Sequence, residues 1–294
     1  MASAMARVST PSSATACTAV PVASFSTASR TSRPASLRCT AGHQVVGLAR
    51  SDEAAARVAA LGADVRRGDL DDTDGLAEAA ADSDGVVHLG YSHDFSKMAE
   101  AAVLDRAAIA AMGTALEGSG RPLLFASGVL GLAAGRLATE DDAPDPAVHP
   151  RGGTAIAALA LADRGVRPVA VRFAPTVHGA GDHGFVAVLA QVARERGVSA
   201  YVGDGANRWP AVHRSDAGWL VRLALESDAA GAAVHAVAEE GVETRTIAEA
   251  IGRGLGVPVE SVPADRAAEH FGWIGAFFAA DCPCLLYTSD AADE

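Results

Sequence analysis

The stretch Val86-Val87-His88-Leu89-Gly90-Tyr91 is a short apolar run interrupted only by His88, entered through Gly85 and closed by Gly90. A run of that length between glycines reads as a strand, Gly85–Leu89, buried on both faces. Working outward from it, Thr73–Ala81 reads as a helix, Asp64–Arg67 as a short strand, and Asp52–Leu61 as a helix with Ser51 as its N-cap. Gln44–Ala49 is a further strand. Downstream, Phe95–Glu117 reads as a long helix, Pro122–Ala126 as a strand, Thr154–Arg164 as a helix and Val169–Arg172 as a strand. Strands that alternate with helices in this way imply a parallel sheet covered on both faces. Such sheets bind ligands at the C-terminal ends of their strands.

From Gly184 the alternation loosens. A helix is expected over Phe185–Arg196, a strand over Ala200–Val202, a helix after Asp216 and a strand over Ala233–Ala238. Thr246–Leu255 reads as a helix in which Thr246 and Glu249 have capping-box spacing, and Pro258–Val262 as a last strand. This is the pattern of a smaller, substrate-side lobe.

Composition narrows the function. The chain has 294 residues, about half of them apolar, which is enough for a sizeable core. Its formal net charge of −12 argues against a nucleic-acid partner, which would favour a basic face. No apolar run approaches the roughly 20 residues of a membrane span, and the composition fits a soluble, cytoplasmic protein. Lys97 is the only lysine. The four cysteines, Cys17, Cys39, Cys282 and Cys284, form no disulfide framework. Cys282-Pro283-Cys284 is too short and isolated for a metal site, and the nine histidines show no zinc spacing.

The two ends differ from the middle. Met1–Thr40 is rich in Ser, Thr, Ala and Pro, with four arginines and no acid. Read alone it resembles a transit peptide. It stands, however, where a first strand and helix belong, and a misframed segment is the preferred reading of 1–41. At the other end, Cys284-Leu285-Leu286-Tyr287-Thr288-Ser289-Asp290-Ala291-Ala292-Asp293-Glu294 resembles a translated transposon-end sequencing adapter, so 282–294 is expected to be an adapter-derived tail. Residues 42–180 are then the dinucleotide-binding region and 181–281 the substrate-binding lobe.

Candidate residues sit just after the strands. Arg50 follows the second strand of the expected sheet, where an acid favours NAD and a basic residue the 2′-phosphate of NADP. NADP is therefore slightly favoured over NAD. Asp69, in Gly68-Asp69-Leu70, is placed to bond an adenine amino group, with Leu70 flanking the ring. Leu89 and Gly90 close the next strand, and the glycine lets backbone approach a cofactor. Ser127, after Leu123-Leu124-Phe125-Ala126, presents a hydroxyl. Arg151 is placed to stabilise an oxyanion or bind an acidic substrate. Tyr201-Val202-Gly203-Asp204-Gly205-Ala206-Asn207-Arg208-Trp209-Pro210 joins charge, amide and an aromatic plane. Arg208 suits a phosphate and Trp209 a ring, or else the loop is a structural turn with a packed Trp. His93-Asp94 and Asp182-His183 are possible proton-transfer pairs.

These strings resemble the extended or atypical short-chain dehydrogenase/reductases, the NAD-dependent epimerase/dehydratase group. Gly68-Asp69-Leu70, Val86-Val87-His88-Leu89 and Ser127 carry part of the likeness. Val171-Arg172-Phe173-Ala174-Pro175-Thr176-Val177-His178-Gly179 is similar to the R-x-x-x-V-Y-G loop, with His178 where Tyr is common. Val212-His213-Arg214-Ser215-Asp216 is similar to the V-H-V-x-D segment. The resemblance implies a Rossmann-type doubly wound α/β fold with a smaller C-terminal lobe. It also implies that Pro175 and Val177 pack near the nicotinamide and that Ser127 is the catalytic-type hydroxyl. The implied activity is NAD(P)-dependent oxidoreduction of a small carbonyl, alcohol or sugar-nucleotide-like substrate.

Two features of that family are missing. No strand with G-x-x-G-x-x-G precedes Gly42, so the backbone N–H cradle for a pyrophosphate is absent. Gly179-Ala180-Gly181-Asp182-His183-Gly184 spells G-x-G-x-x-G, but lies on the substrate side. The Tyr-x-x-x-Lys pair is also absent, because His93 stands four residues before Lys97. His178, Tyr91 and Tyr201, in that order, are the proton-donor candidates. A non-catalytic NAD(P)-binding or redox-sensing protein is the alternative.

Overall fold

The computed structural model describes residues 43–92, 97–133, 135–147, 151–228 and 230–285. Segment 1–41, the His93-Asp94 pair and the tail beyond Leu285 lie outside the described residues, as do Phe95 and Ser96 at the start of the expected long helix. The chain divides into two units, each described by itself. The first takes residues through Ser127 with Pro144–Val171 and Gly218–Val234. The second takes Gly128–Ala143, Arg172–Ala217 and the chain from His235 onward.

In the first unit, strands and helices alternate as expected. They are β1 (Val46–Ala49), α1 (Asp52–Ala60), β2 (Asp64–Arg67), α2 (Thr73–Ala81), β3 (Val86–His88), α3 (Met98–Ala115), β4 (Pro122–Gly128), α4 (Arg151–Leu159) and β5 (Arg167–Phe173). Ser51 caps α1, its hydroxyl accepting from the Ala54 amide at 3.2 Å. Such a cap stabilises a helix by about 1 kcal/mol. Helix α4 starts at Arg151, before the expected Thr154. Gly152 and Gly153 hide that first turn, because glycine is a poor helix former. Gly152 is needed there, since a Cβ would lie 2.9 Å from the Asp145 carbonyl.

Among the described residues the sheet comes in two pieces. β1 and β2 form a parallel two-stranded piece, in register Val46↔Asp64 to Ala49↔Arg67. A second piece has the order β3-β4-β5-β9, where β9 is Ala232–Ala236. β3 and β4 are parallel, with Val86 beside Leu123. A doubly wound sheet runs 3-2-1-4-5-6, with its first strand in the middle. The pieces here are that order with the first strand left out, and no described strand joins β1 to β3. Leu48, Leu76, Val86, Ile109, Met112, Leu123 and Phe125 belong to one core in this unit.

The second unit holds β6 (Thr176–His178), α5 (Phe185–Arg196), β7 (Ser199–Val202), β8 (Arg208–His213), β10 (Glu239–Glu243), α7 (Thr244–Leu255), β11 (Val259–Val262), α8 (Ala267–Phe271) and α9 (Gly275–Phe278). Helix α6 (Arg214–Glu226) begins in it. Its sheets are β10-β8-β6 and β11-β7. The expected capping box at Thr246 and Glu249 is not the helix start. α7 begins at Thr244, whose hydroxyl is 2.7 Å from Asn207 Oδ1, so Thr246 lies inside the first turn. The described part of the expected tail is integrated by main-chain bonds: Cys282 N–H to Arg208 O at 2.9 Å, Cys284 N–H to Glu240 O at 2.8 Å, and Leu285 N–H to Ala138 O at 2.8 Å.

A buried polar knot in this unit makes its stability pH-dependent. Arg172 is 3% exposed and donates to the Glu140 carbonyl at 3.1 Å and the Asp142 carbonyl at 2.8 Å. Its guanidinium lies 3.3 Å from His235 Nε2. Burial, then the Arg172 charge, pushes the His235 imidazole down from 6.5 to about 4. An unfolded chain therefore takes up this proton first. The contribution is complete above pH 6.5 and is lost as pH falls toward 4. The gap corresponds to about 3 kcal/mol. Urea denaturation across that range should show the loss, and His235→Gln should flatten it. An equally steep profile in the variant would remove His235 as the cause.

Candidate active site

In the first unit the ends of three strands converge on one cavity. β1 runs out into Arg50, β2 into Gly68-Asp69-Leu70, and β3 into Leu89-Gly90-Tyr91. The cavity is about 240 Å³ and is lined by Arg50, Gly68, Asp69, Leu70, Asp71, Tyr91, Ser92 and Leu104. Arg50 Nη1 lies 3.7 Å from Asp69 Oδ2. The other Asp69 oxygen accepts from the Leu70 amide at 2.7 Å, which fixes the carboxylate. Leu70 is mostly core, at 6% exposure, and offers the cavity only an edge. Leu89 is half-buried and Gly90 buried.

The volume is below the roughly 300–1,000 Å³ of pockets for drug-sized ligands, and suits one nucleoside rather than a whole dinucleotide. A guanidinium, a fixed carboxylate and an apolar edge fit the adenosine end of such a cofactor. Its pyrophosphate end has no fit: no glycine-rich turn joins β1 to β3 among the described residues.

Beside this cavity Arg151 is held on several sides. Its Nε donates to Asp105 Oδ2 at 3.2 Å, its Nη2 to the Ala126 carbonyl at 2.6 Å, and its guanidinium carbon lies 4.2 Å from the centre of the Tyr91 ring. Asp105 also meets His88 Nε2 at 3.0 Å, and both of these side chains are 1% exposed. The sequence offers Arg151 to a substrate and gives no role to Asp105 or His88. Asp105 had left a signal, for an acid amid the Ala101, Ala102, Ala108 and Ile109 face of α3 is buried without a visible partner. Burial raises the Tyr91 phenol above its ordinary value, with Arg151 pulling it back and Asp105 pushing it up. Tyr91 is therefore a protonated hydroxyl at neutral pH. Half-buried Ser127 follows Ala126 at the end of β4.

In the second unit, Pro175 and Val177 stand half-buried before and within β6, which ends at His178. β6 and β8 are parallel and put His178 opposite His213, with ring centres 5.6 Å apart and planes at 75°. Tyr201 lies under Arg245, whose guanidinium carbon is 5.1 Å from the ring centre. One expected substrate contact is corrected here. Trp209 has no exposed surface, packs edge-on against Phe278 at 5.1 Å and donates its indole N–H to the Phe277 carbonyl at 3.2 Å. No face of the ring remains for a ligand. Arg208 is exposed and pairs with Asp281, Nη2 to Oδ2 at 3.2 Å. Among the described residues no group of His, Cys, Asp or Glu could hold a metal ion, and no helix is long and apolar enough to cross a membrane.

No family model matches the chain. Two curated relatives do. It is 48% identical over 245 residues to the uncharacterized protein C2A9.02 of Schizosaccharomyces pombe, covering 83% of each chain. It is 44% identical over 247 residues to the uncharacterized protein YLL056C of Saccharomyces cerevisiae, again covering 83% of each. Among solved structures, UDP-glucose 4-epimerase of Thermotoga maritima with UDP-glucose matches at TM-score 0.62 and 17% identity, over 85% of this chain and 84% of that one. The dTDP-glucose 4,6-dehydratase DesIV of Streptomyces venezuelae, solved with NAD, matches at TM-score 0.62 and 19% identity, with the same coverage.

Proposed function

Because the chain belongs to the family of the fungal proteins C2A9.02 and YLL056C, and has the fold of the extended short-chain dehydrogenase/reductases, we propose that it is an NAD(P)-dependent oxidoreductase. Its substrate is a small carbonyl, an alcohol or a sugar-nucleotide-like molecule, and its compartment is the cytoplasm. The cavity among Arg50, Asp69 and Leu70 carries this reading, because it lies at the strand ends where such sheets take an adenosine. The presence of NAD in the solved DesIV structure supports a nicotinamide cofactor; Arg50 favours the 2′-phosphorylated form. Such a cofactor, when bound, supplies the hydride chemistry.

The chain's own residues divide the remaining work. Arg50, Asp69, Leu70, Leu89 and Gly90 bind the adenosine end, and Pro175 and Val177 lie against the nicotinamide. Ser127 bonds the substrate oxygen, while His178 or Tyr91 carries the proton. Arg151 acts through Tyr91, over whose ring it sits, and Tyr201 remains a substrate contact.

Adenosine fragments test the reading without a pyrophosphate loop. Calorimetric titration should show 2′,5′-ADP binding more tightly than 5′-AMP, and Arg50→Ala should remove about tenfold of that preference, or about 1.4 kcal/mol. Failure of both fragments to bind would sink the adenosine assignment. A second reading, an NAD(P)-binding or redox-sensing protein without turnover, is favoured by one observation. Lys97 is exposed and sits just before α3, and Arg151 opens α4 with no tyrosine–lysine pair on that helix. Binding of NADPH without turnover across a broad carbonyl panel would decide for it.

A further inference from the structure

His88 and Asp105 have no part in the function described so far, although each is 1% exposed and stands one side chain behind the cavity. A carboxylate only accepts hydrogen bonds. His88 therefore turns an Nε2–H toward Asp105 Oδ1, at 3.0 Å, and Arg151 Nε donates to Oδ2, at 3.2 Å. With both oxygens engaged, the carboxylate is fixed in place and in rotation.

What it fixes is Arg151. A guanidinium is planar, so its donors lie in one plane while its face can stack on a ring. Here Nε meets Asp105, Nη2 donates to the Ala126 carbonyl at 2.6 Å, and the guanidinium carbon lies 4.2 Å from the centre of the Tyr91 ring. Tyr91 in turn lines the cavity with Arg50, Asp69 and Asp71. All of these residues belong to the first unit.

Stability alone does not account for the pair. A buried ion pair adds little over apolar side chains of similar volume, because both charges leave water. Asp105 stands on the Ala101, Ala102, Ala108 and Ile109 face of α3, where an apolar residue would pack as well. The charge at 105 has its use in ordering the guanidinium.

We propose that Asp105 is a positioning residue for ligand binding: it holds Arg151 against Tyr91, and so sets the Tyr91 hydroxyl as a hydrogen-bond donor to a nucleotide in the cavity. This rests on the adenosine reading of that cavity. In this role Tyr91 binds, and the proton of the reaction falls to His178.

The charged groups around the phenol are Arg151 on α4, Asp105 on α3, and Arg50, Asp69 and Asp71 after β1 and β2. Burial raises the phenol, Arg151 pulls it down and Asp105 pushes it up. The two partners thus act in opposite directions, and phenol titration by ultraviolet absorbance reads this without a ligand. Tyr91 is one of three tyrosines, and its contribution is identified by its loss in Tyr91→Phe. Arg151→Gln should move the Tyr91 midpoint up and Asp105→Asn should move it down. Arg151→Lys, which keeps the charge, should stay closer to the parent. A loosened fold would relieve burial and lower both midpoints, so it cannot imitate the rise in Arg151→Gln. Calorimetry with 2′,5′-ADP should show Tyr91→Phe weakened by about 3- to 10-fold, and Asp105→Asn weakened in the same direction. Midpoints that stay put or move together, or full affinity in Tyr91→Phe, overturn the proposal. Failure of the unaltered chain to bind 2′,5′-ADP, with the opposed shifts intact, sinks the adenosine reading and leaves the coupling of Asp105 to Tyr91 standing.

Discussion

Replacing residues 1–41 with a strand, a G-x-x-G-x-x-G turn and a helix should raise NADPH affinity by about 100-fold or more, near 3 kcal/mol. The expectation follows from the sequence before Gly42, which holds no G-x-x-G-x-x-G turn, and from the lack of a described strand between β1 and β3. A pyrophosphate needs backbone N–H groups at a helix N-terminus, and hydrogen bonds to a charged group contribute about 1.5–3 kcal/mol each. The cavity at Arg50 and Asp69 can hold one end of the cofactor but cannot replace those donors. Calorimetry on the unaltered chain, the graft and a graft with its glycines changed to alanine would separate loop from bulk. Low-micromolar NADPH binding by the unaltered chain would show that the gap does not matter.

Trp209→Ala should destabilise the chain by about 3–5 kcal/mol, on the order of 10 °C in melting temperature. Its ring is fully buried with Phe185, Phe271, Ile274 and Phe278 in the core of the second unit. Truncation leaves a cavity and removes the indole N–H bond to the Phe277 carbonyl, which then keeps the Ala280 amide at 3.0 Å. Thermal melts would show the loss directly. A variant that melts like the parent, but loses affinity for an aromatic or sugar ligand, would restore the stacking role.

What could be read from sequence was whatever local pattern decides. The apolar runs at Val86–His88 and Pro122–Phe125 belong to buried parallel strands, and such strands advertise themselves. Nothing before Gly42 has that pattern, which is why the sequence predicts no first strand there; those residues lie outside the described ones. β10 was not legible. Glu239-Glu240-Gly241-Val242-Glu243 is an acidic segment with poor strand propensity, and it is a strand because it pairs with β8. β8 itself contains Pro210, which argues against a strand.

The site divides the same way. Arg50 and Asp69 were found because strand ends have fixed positions in the chain order. The His88–Asp105–Arg151 chain was missed because its members are 17 and 46 residues apart and meet only in three dimensions. Trp209 was ambiguous because a buried anchor and a stacking platform share one sequence.

The split sheet also bears on how the chain holds together in time. In an unbroken sheet, hydrogen bonding passes from strand to strand and couples every layer. Among the described residues β1 with β2, and β3 with its neighbours, are separate ladders, joined by packing of α2 on α3 and by the core that Leu48 shares with Val86 and Leu123. Side-chain packing without a shared ladder is the arrangement in which one part of a domain opens while another stays closed. Among the described residues, the segment from β1 through β2 is therefore tied to the rest of its unit by side-chain packing alone, and amide exchange there should outpace exchange in β3 and β4.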